Sequence, residues 1–275
     1  MKINLDKSKI KTIKLEDSTY PEKLKEIYNP PKTIYLIGNE KLLNQKSIAI
    51  IGCRECTRYG AENAYKFGYE LAKENICVIS GFAKGIDTYS HKGAVFAKGK
   101  TIAVLGCGLD IIYPPENMEL YKKILLQGGA IISEYPLGSK PEKYHFPERN
   151  RIISGLSSGV LVIEAKKKSG TMITVDFALE QGREVYAVPG NISSENSYGT
   201  NELIKEGATP VTSINDICHL WWQVWKWQKW QFGDRYESDK QRRWRNWKKQ
   251  KLKKWMWNYI QGIKLFHGIY YFIMQ

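Results

Sequence analysis

The residues with the clearest chemical potential lie in a turn that follows a short apolar run. Ser47 to Ile51 is rich in isoleucine, and Gly52-Cys53-Arg54 comes directly after it. A run of this kind that ends on a glycine and precedes a helical pattern is typical of the first strand and turn of a parallel α/β sheet. Such a turn brings the backbone and the next helix N-terminus close to a phosphate, and Arg54 adds a bidentate donor. We expect an anion site here, although an ordinary strand-to-helix turn with a surface arginine would have the same sequence.

A second candidate site lies between Tyr135 and Arg151, which we expect to form a long loop. It contains three rings between two pairs of cations, in the order Lys140, Lys143, Tyr144, His145, Phe146, Arg149 and Arg151. Cations for phosphates and rings for bases are the two components of single-strand binding. The alternative interpretation is that the aromatic residues belong to the core and the cations are solvated.

The cysteines and acids do not predict a metal or catalytic site. Cys53 and Cys56 form a single Cys-x-x-Cys with no second pair nearby, whereas structural zinc needs four ligands. The acids and bases near the predicted turns have no spacing typical of a catalytic set, and we expect structural or capping roles for Asp87, His91, Asp110 and Glu164. We predict no cofactor, no metal and no enzymatic activity.

Apolar runs that alternate with helical patterns predict the elements that position these residues. The predicted strands are Thr33 to Asn39, Ile48 to Ile51, Cys77 to Ser80, Thr101 to Leu105, Ala130 to Ser133, Gly159 to Ile163 and Val185 to Val188. This alternation predicts the α/β class, with an extended Rossmann-like parallel sheet and helices on both faces. Because the carboxyl ends of parallel strands share one edge, the turns should line a common crevice.

The net charge of +14 is unevenly distributed along the 275 residues. Residues 219–275 carry 13 Lys and Arg against 3 Asp and Glu, whereas residues 1–218 carry 29 against 25. Nucleic-acid binding by the body of the chain therefore cannot be inferred from its total charge. The N-terminus has no apolar stretch of signal-peptide type, and no run of 18 apolar residues occurs, so we expect a cytoplasmic protein that does not bind membranes.

The domain organisation predicted from composition has three parts. Residues 1–40 form a short lead or connector with a helix from Tyr20 to Tyr28, residues 41–217 form the Rossmann-like domain, and residues 218–275 form an atypical tail. All nine tryptophans lie between Trp221 and Trp257. We predict that this tail is an out-of-frame translation, which translating the other frames downstream of Ile217 would test. The alternative is an evolved cationic aromatic segment that binds DNA or a membrane surface.

Six motifs in one order, from about Tyr20 to Ile217, resemble the DNA-processing protein A (DprA/Smf) family. They are Gly52-Cys53-Arg54, Ser80 to Asp87, Gly106 to Asp110 with Tyr113-Pro114, Phe146 to Ser157, Glu164-Ala165 with Ser169-Gly170-Thr171, and Ala187 to Gly190. The resemblance implies a fold that binds single-stranded DNA rather than a dinucleotide. It also implies a protein of natural transformation that protects incoming DNA, loads a RecA-type recombinase onto it and forms a homodimer.

The same resemblance implies which residues contact DNA. Gly52, Cys53 and Arg54 match the phosphate turn, with Cys53 in place of the family's serine. Lys143 would bind a phosphate and Phe146 would stack on a base. Further DNA contacts are expected from Lys84, Arg149, Asn150, Arg151, Ser169, Gly170 and Thr171. The homodimer is expected to use the apolar run Val160 to Ile163 and the helix after Thr171.

Two other function classes use a similar sheet. A nucleotide-binding enzyme of the lysine-decarboxylase-like (nucleoside-monophosphate phosphoribohydrolase) group carries Pro-Gly-Gly-x-Gly-Thr, whereas this chain has Pro189-Gly190-Asn191. A nicotinamide-dependent oxidoreductase needs Gly-x-Gly-x-x-Gly after the first strand, which Gly52 to Thr57 does not supply. Single-stranded DNA binding is therefore the favoured interpretation, with the phosphoribohydrolase as its alternative.

Overall fold

The computed structural model describes residues 1–218, so the predicted tail lies outside the described residues except for Cys218. The strands within this range are β1 (Ile10–Lys14), β2 (Thr33–Gly38), β3 (Ser47–Ile51), β4 (Cys77–Ser80), β5 (Thr101–Leu105), β6 (Ala130–Ser133), β7 (Gly159–Val162), β8 (Glu184–Ala187) and β9 (Thr209–Pro210). The helices are α1 (Glu22–Lys25), α2 (Arg58–Lys73), α3 (Ile86–Phe96), α4 (Met118–Leu126), α5 (His145–Leu156), α6 (Gly170–Glu180) and α7 (Tyr198–Lys205).

The strands form one mixed sheet in the order β1-β2-β6-β5-β4-β3-β7-β8-β9. All neighbours from β6 to β9 are parallel, whereas β1 pairs with β2 and β2 with β6 in antiparallel register. The predicted α/β class and the predicted strands are confirmed, with ends that differ by one residue at most. β1 was not predicted, because the lysines at positions 9, 11 and 14 obscure its pattern and Ile13 alone is buried.

Side chains of successive strand residues point to opposite faces of the sheet, and each face packs in its own hydrophobic core. In β5, Ile102 and Val104 join a core cluster with residues of α1, α5 and α6. Ala103 and Leu105 instead join a cluster with residues of α3 and α4. The sheet is therefore covered by helices on both faces.

β3 is the point at which the strand order reverses. The chain runs outward from β3 through β4 and β5 to β6, and then returns through α5 to β7 on the other side of β3. In open α/β sheets, ligands bind in the crevice at such a switch point, outside the carboxyl ends of the strands. The turn Gly52-Cys53-Arg54 after β3 and the segment after β7 flank this crevice.

The prediction of a long loop from Tyr135 to Arg151 is wrong for the second half of this range. Helix α5 begins at His145, so Phe146, Arg149, Asn150 and Arg151 are helical residues. Pro147 was interpreted as a loop residue, but it is the third residue of the helix. In the first turn of a helix the backbone N–H has no intrahelical acceptor, so a proline there loses no hydrogen bond, and its fixed φ suits the helix.

The apolar run Val160 to Ile163, which was expected to contribute to a homodimer, is not exposed in this chain. β7 lies between β3 and β8, and all four residues are buried. Such a continuous apolar run is typical of a strand that is buried on both faces. Apolar surface is instead exposed on α6, where Leu179 is 61% exposed and Ile173 and Phe177 are half-buried.

Candidate functional site

A cleft of about 850 Å³, here called the main cleft, lies at the switch point of the sheet. The turn after β3, the segment between β7 and α6, and the first turns of α5 and α6 line it. It brings together most of the residues predicted from the sequence, namely Gly52, Cys53, Arg54, Lys143, Phe146, Arg149, Asn150, Ser169, Gly170 and Thr171. Lys84 and Arg151 do not line this cleft.

One wall of the main cleft is formed by a cation and two rings that contact one another. The Arg54 guanidinium carbon lies 5.2 Å from the centroid of the Phe146 ring. The Tyr113 ring lies on the same phenylalanine, with 5.6 Å between the ring centroids. Arg54 and Tyr113 are exposed and Phe146 is half-buried. Sequence reasoning assigned no role to Tyr113, and its position beside Pro114 within the third motif was the available signal.

Two glycines shape this wall by close packing. A Cβ on Gly106 would lie 3.0 Å from Cδ1 of Phe146, so the glycine lets the ring lie against the end of β5. A Cβ on Gly52 would lie 2.6 Å from Cγ1 of Ile86 and 2.9 Å from the carbonyl oxygen of Glu164. The glycine of the predicted phosphate turn is therefore required by packing within the protein.

Arg149 forms the floor of the main cleft and is only 3% exposed. Its Nη1 donates to the carbonyl oxygens of Gly81 and Val104, and its Nε has no hydrogen-bond partner among the described residues. Burial lowers the pKa of Arg149 to about 10, while the nearby Asp87 opposes that shift. Burial also raises the pKa of Asp87, against the attraction of Arg149. Both side chains are buried beneath the surface of the main cleft.

The first turn of α6 supplies the opposite wall. Ser169 is the N-cap, but its side chain makes no capping hydrogen bond, and its buried Oγ has no partner among the described residues. The unpaired N–H groups and the positive end of a helix favour anions at such a position. Lys166 also lines the main cleft. It was missed because it lies between the two halves of the fifth motif, in the run Lys166-Lys167-Lys168.

The remaining two predicted residues are held by acids elsewhere. Lys84 Nζ lies 2.6 Å from Oε1 of Glu116, and Lys84 lines a small pocket of about 90 Å³ behind Phe146. Arg151 is 7% exposed and donates to both carboxylate oxygens of Glu134, at 2.9 and 2.6 Å, and to the carbonyl of Asn29 at 2.9 Å. Arg151 therefore connects α5 to the residue that follows β6, and it does not line the main cleft.

The four acids and bases for which structural roles are expected all make hydrogen bonds within the fold. Glu164 accepts from the N–H and hydroxyl of Thr57 at the start of α2, and Asp110 accepts from the N–H of Gly138 at 2.8 Å. Asp87 accepts from the N–H of Ala83 at 3.2 Å, and Nδ1 of His91 lies 2.7 Å from the Thr101 hydroxyl.

Cys53 and Cys56 are both free thiols, and burial raises the pKa of each. Within residues 1–218, no group of three or more His, Cys, Asp and Glu side chains is close enough to hold a metal ion. No helix in this part of the chain has the length and apolar content needed to cross a membrane.

Comparisons with known proteins agree with the motifs. The family described as DNA recombination-mediator protein A matches residues 11–221. The DNA processing protein DprA of Streptococcus pneumoniae is 44% identical over 209 residues, which cover 76% of this chain and 73% of that protein. The DprA of Bacillus subtilis is 43% identical over 76% of this chain and 70% of its own length. The protein Smf of Escherichia coli is 43% identical over 74% of this chain and 55% of its own length.

Solved structures show the same relationship. The X-ray structure of DprA from S. pneumoniae superposes with a TM-score of 0.72 at 42% identity, covering 78% of each chain. DNA processing protein A from Helicobacter pylori, described for its single-stranded DNA binding mode, gives a TM-score of 0.70 at 32% identity, over 78% of this chain and 96% of that chain. The ordered motifs, the sheet and these similarities together show that the chain belongs to the DNA-processing protein A (DprA/Smf) family.

Proposed function

We propose that this protein binds single-stranded DNA in the main cleft, with little preference for base sequence. The observation that carries the proposal is the contact of Arg54 with the Phe146 ring in a cleft that also contains Lys143. A ring offers a stacking surface to every base, and cations follow the backbone, so this combination is tolerant of sequence. The relatives named as DNA processing proteins, and the single-stranded DNA binding ascribed to the H. pylori protein, support it.

The accessible charges of the main cleft suit a polyanion. Arg54 and Lys143 are exposed and Lys166 is half-buried, whereas Glu55 is the exposed acid among the lining residues. The N-terminus of α6 adds a further position for a phosphate. We assign the phosphates to Arg54, Lys143, Lys166 and the Ser169-Gly170-Thr171 turn, and one base to the ring of Phe146.

We infer binding without catalysis. Asp87, Asp110 and Glu164 are engaged by backbone N–H groups or a threonine hydroxyl, so each has a structural use. A general acid or base would need to reach the reacting group directly. The phosphoribohydrolase alternative gains no support from this arrangement.

The wider role we propose is DNA recombination during natural transformation, in the cytoplasm. There the protein would protect incoming single strands and load a RecA-type recombinase onto them as a homodimer. The family relationship supports this role, and the exposed apolar side chains of α6 offer a surface for a second copy.

Fluorescence anisotropy with single-stranded, double-stranded and mononucleotide probes tests the proposal. We expect single strands to bind most tightly and mononucleotides weakly. Each phosphate contact contributes about 0.7 to the salt slope of log K, so Arg54→Ala should flatten that slope by about this amount. Lys123→Ala on α4, which does not line the cleft, is the control. Tight binding of a mononucleotide with no preference for strands would contradict the proposal.

A further inference from the structure

A second, solvent-open cleft of about 500 Å³ lies beside the main cleft. Its lining includes Thr57, Tyr59, Glu164, Asn191, Ser194 and Ser197. A ridge made of residues 55–57 and 164–166 separates the two clefts. Glu55 and Lys166 of this ridge line the main cleft, whereas Thr57 and Glu164 line the second cleft. The two clefts are therefore separated by little more than the width of two chain segments.

Hydrogen bonds fix the ridge in place. The N–H of Thr57 donates to Glu164 Oε2 at 3.0 Å. Asn196 Nδ2 donates to the carbonyl of Glu55 at 2.9 Å, and the N–H of Ala165 donates to the carbonyl of Asn196 at 2.8 Å. These bonds connect three separate segments, so the fold itself fixes the distance between the two clefts in the absence of a ligand.

The second cleft has the chemistry of a nucleoside site rather than a phosphate site. Tyr59 is 47% exposed, and its hydroxyl donates to the carbonyl of Pro189 at 2.8 Å, which holds the ring as one wall. The Glu164 carboxylate is buried and accepts from Thr57 and Asn196, and its negative charge disfavours a phosphate in this cleft. Asn191 is exposed and Ser194 is half-buried, and their side chains add neutral donors and acceptors.

Two lysines, Lys166 and Lys167, lie at the rim of the second cleft, where they could contact the phosphates of a bound strand. Lys166 Nζ lies 3.8 Å from Oε2 of Glu195, in a pair whose side chains are 45% and 88% exposed. Such an exposed pair is weak, and a phosphate can replace the glutamate. Lys167 Nζ lies 5.1 Å from the ring centroid of Tyr198, which directly follows Ser197 and is 41% exposed.

We propose that the second cleft binds a further nucleotide of the same DNA strand that occupies the main cleft. Lys166 would contact the phosphate that crosses the ridge, and Tyr59 would face the next base. Beyond the second cleft, Lys167 would contact the following phosphate and the Tyr198 ring would stack on the following base. This inference rests on the proposed function, because it extends the path of the same ligand.

Anisotropy with oligothymidylates of increasing length, on the full chain, tests the second cleft. The affinity of the unaltered protein should rise with length until both clefts are filled. The double variant Lys167→Ala, Tyr198→Ala should bind the shortest probes as the parent does. It should bind long probes at least about fivefold more weakly, as expected for the loss of one stacked base, with a salt slope lower by about 0.7.

The chain offers a matched control for this variant. Lys92 Nζ lies 5.2 Å from the ring centroid of Tyr89, which is 37% exposed, on helix α3. Neither residue lines either cleft, so Lys92→Ala, Tyr89→Ala removes the same kind of pair without changing the proposed path. Photo-crosslinking of bromodeoxyuridine-containing strands should label Tyr59 or Tyr198 in the parent.

The outcomes separate the two proposals. If long probes bind the double variant as they bind the parent, and no crosslink reaches Tyr59 or Tyr198, the second cleft is not on the path and binding in the main cleft stands. An equal loss for short and long probes also overturns the extension, because it shows a general effect. If the parent binds no single strand, the proposed function itself fails.

Discussion

At the scale of single residues, Phe146 is the side chain on which the proposed binding depends most. Stacking on an aromatic ring is worth about 1 to 3 kcal/mol per base, so Phe146→Ala should weaken single-strand binding roughly 5- to 150-fold. Phe146→Tyr keeps the ring and should retain most of the affinity. Anisotropy titration gives the comparison. Phe96, 70% exposed on α3, is the control, and equal losses for Phe96→Ala and Phe146→Ala would remove Phe146 from the site.

His91 makes the stability of the fold depend on pH. Burial, assisted by the positive charge of Arg149, lowers its pKa from the ordinary 6.5 to about 3. Below pH 6.5 the unfolded chain therefore binds a proton that the folded chain excludes. The free energy of unfolding should fall as the pH falls towards 3, by up to about 1.4 kcal/mol per pH unit from this group.

The variant His91→Leu should reduce that pH dependence. It removes the titrating ring and also the buried Nε2, which has no partner among the described residues. Denaturant unfolding between pH 4 and 7 measures the slope for the parent and the variant. Identical slopes would show that His91 is protonated to the same extent in the folded and unfolded chains.

At the scale of elements, strands were easier to predict than the helix that carries the site. Strands β3 to β8 are short apolar runs that end at glycine or small residues, and these signals are local. Helix α5 begins two residues before Pro147. The pattern of residues 135–151 does not reveal that this proline lies in the first turn of a helix. Arg54, Lys143 and Phe146 could still be chosen, because the motif order placed them without the helix.

Arg151 shows which part of the site could not be predicted from sequence. As one of two arginines beside Asn150 it resembles a DNA contact, but its ion pair with Glu134 is a tertiary feature. Removing one partner of a nearly buried pair leaves the other charge uncompensated, so Arg151→Met should cost about 3 kcal/mol in the free energy of unfolding.

A matched control for Arg151→Met is Lys84→Met. This change breaks a pair whose two side chains are each 60% exposed, and it should have little effect on the free energy of unfolding. Chemical denaturation at neutral pH measures both losses. A small loss of stability together with a large loss of DNA affinity in Arg151→Met would instead place Arg151 on the DNA path.

At the scale of the whole molecule, α6 is the surface proposed for the homodimer. Leu179 is 61% exposed on this helix, beside the half-buried Phe177. A charge placed there would be buried without a partner in a dimer, so Leu179→Glu should convert the dimer to a monomer by light scattering. Leu126→Glu, at an 85% exposed site on α4, should leave the mass unchanged. A monomeric parent at micromolar concentration would contradict the homodimer.

The central position of β3 has a consequence for synthesis on the ribosome. One neighbour of β3, the strand Cys77–Ser80, is made soon after it, but the other, Gly159–Val162, is made more than a hundred residues later. Until then one edge of an apolar strand stays unpaired in the growing chain. Open apolar edges promote pairing with other chains, so the nascent protein is most prone to aggregate before β7 is made.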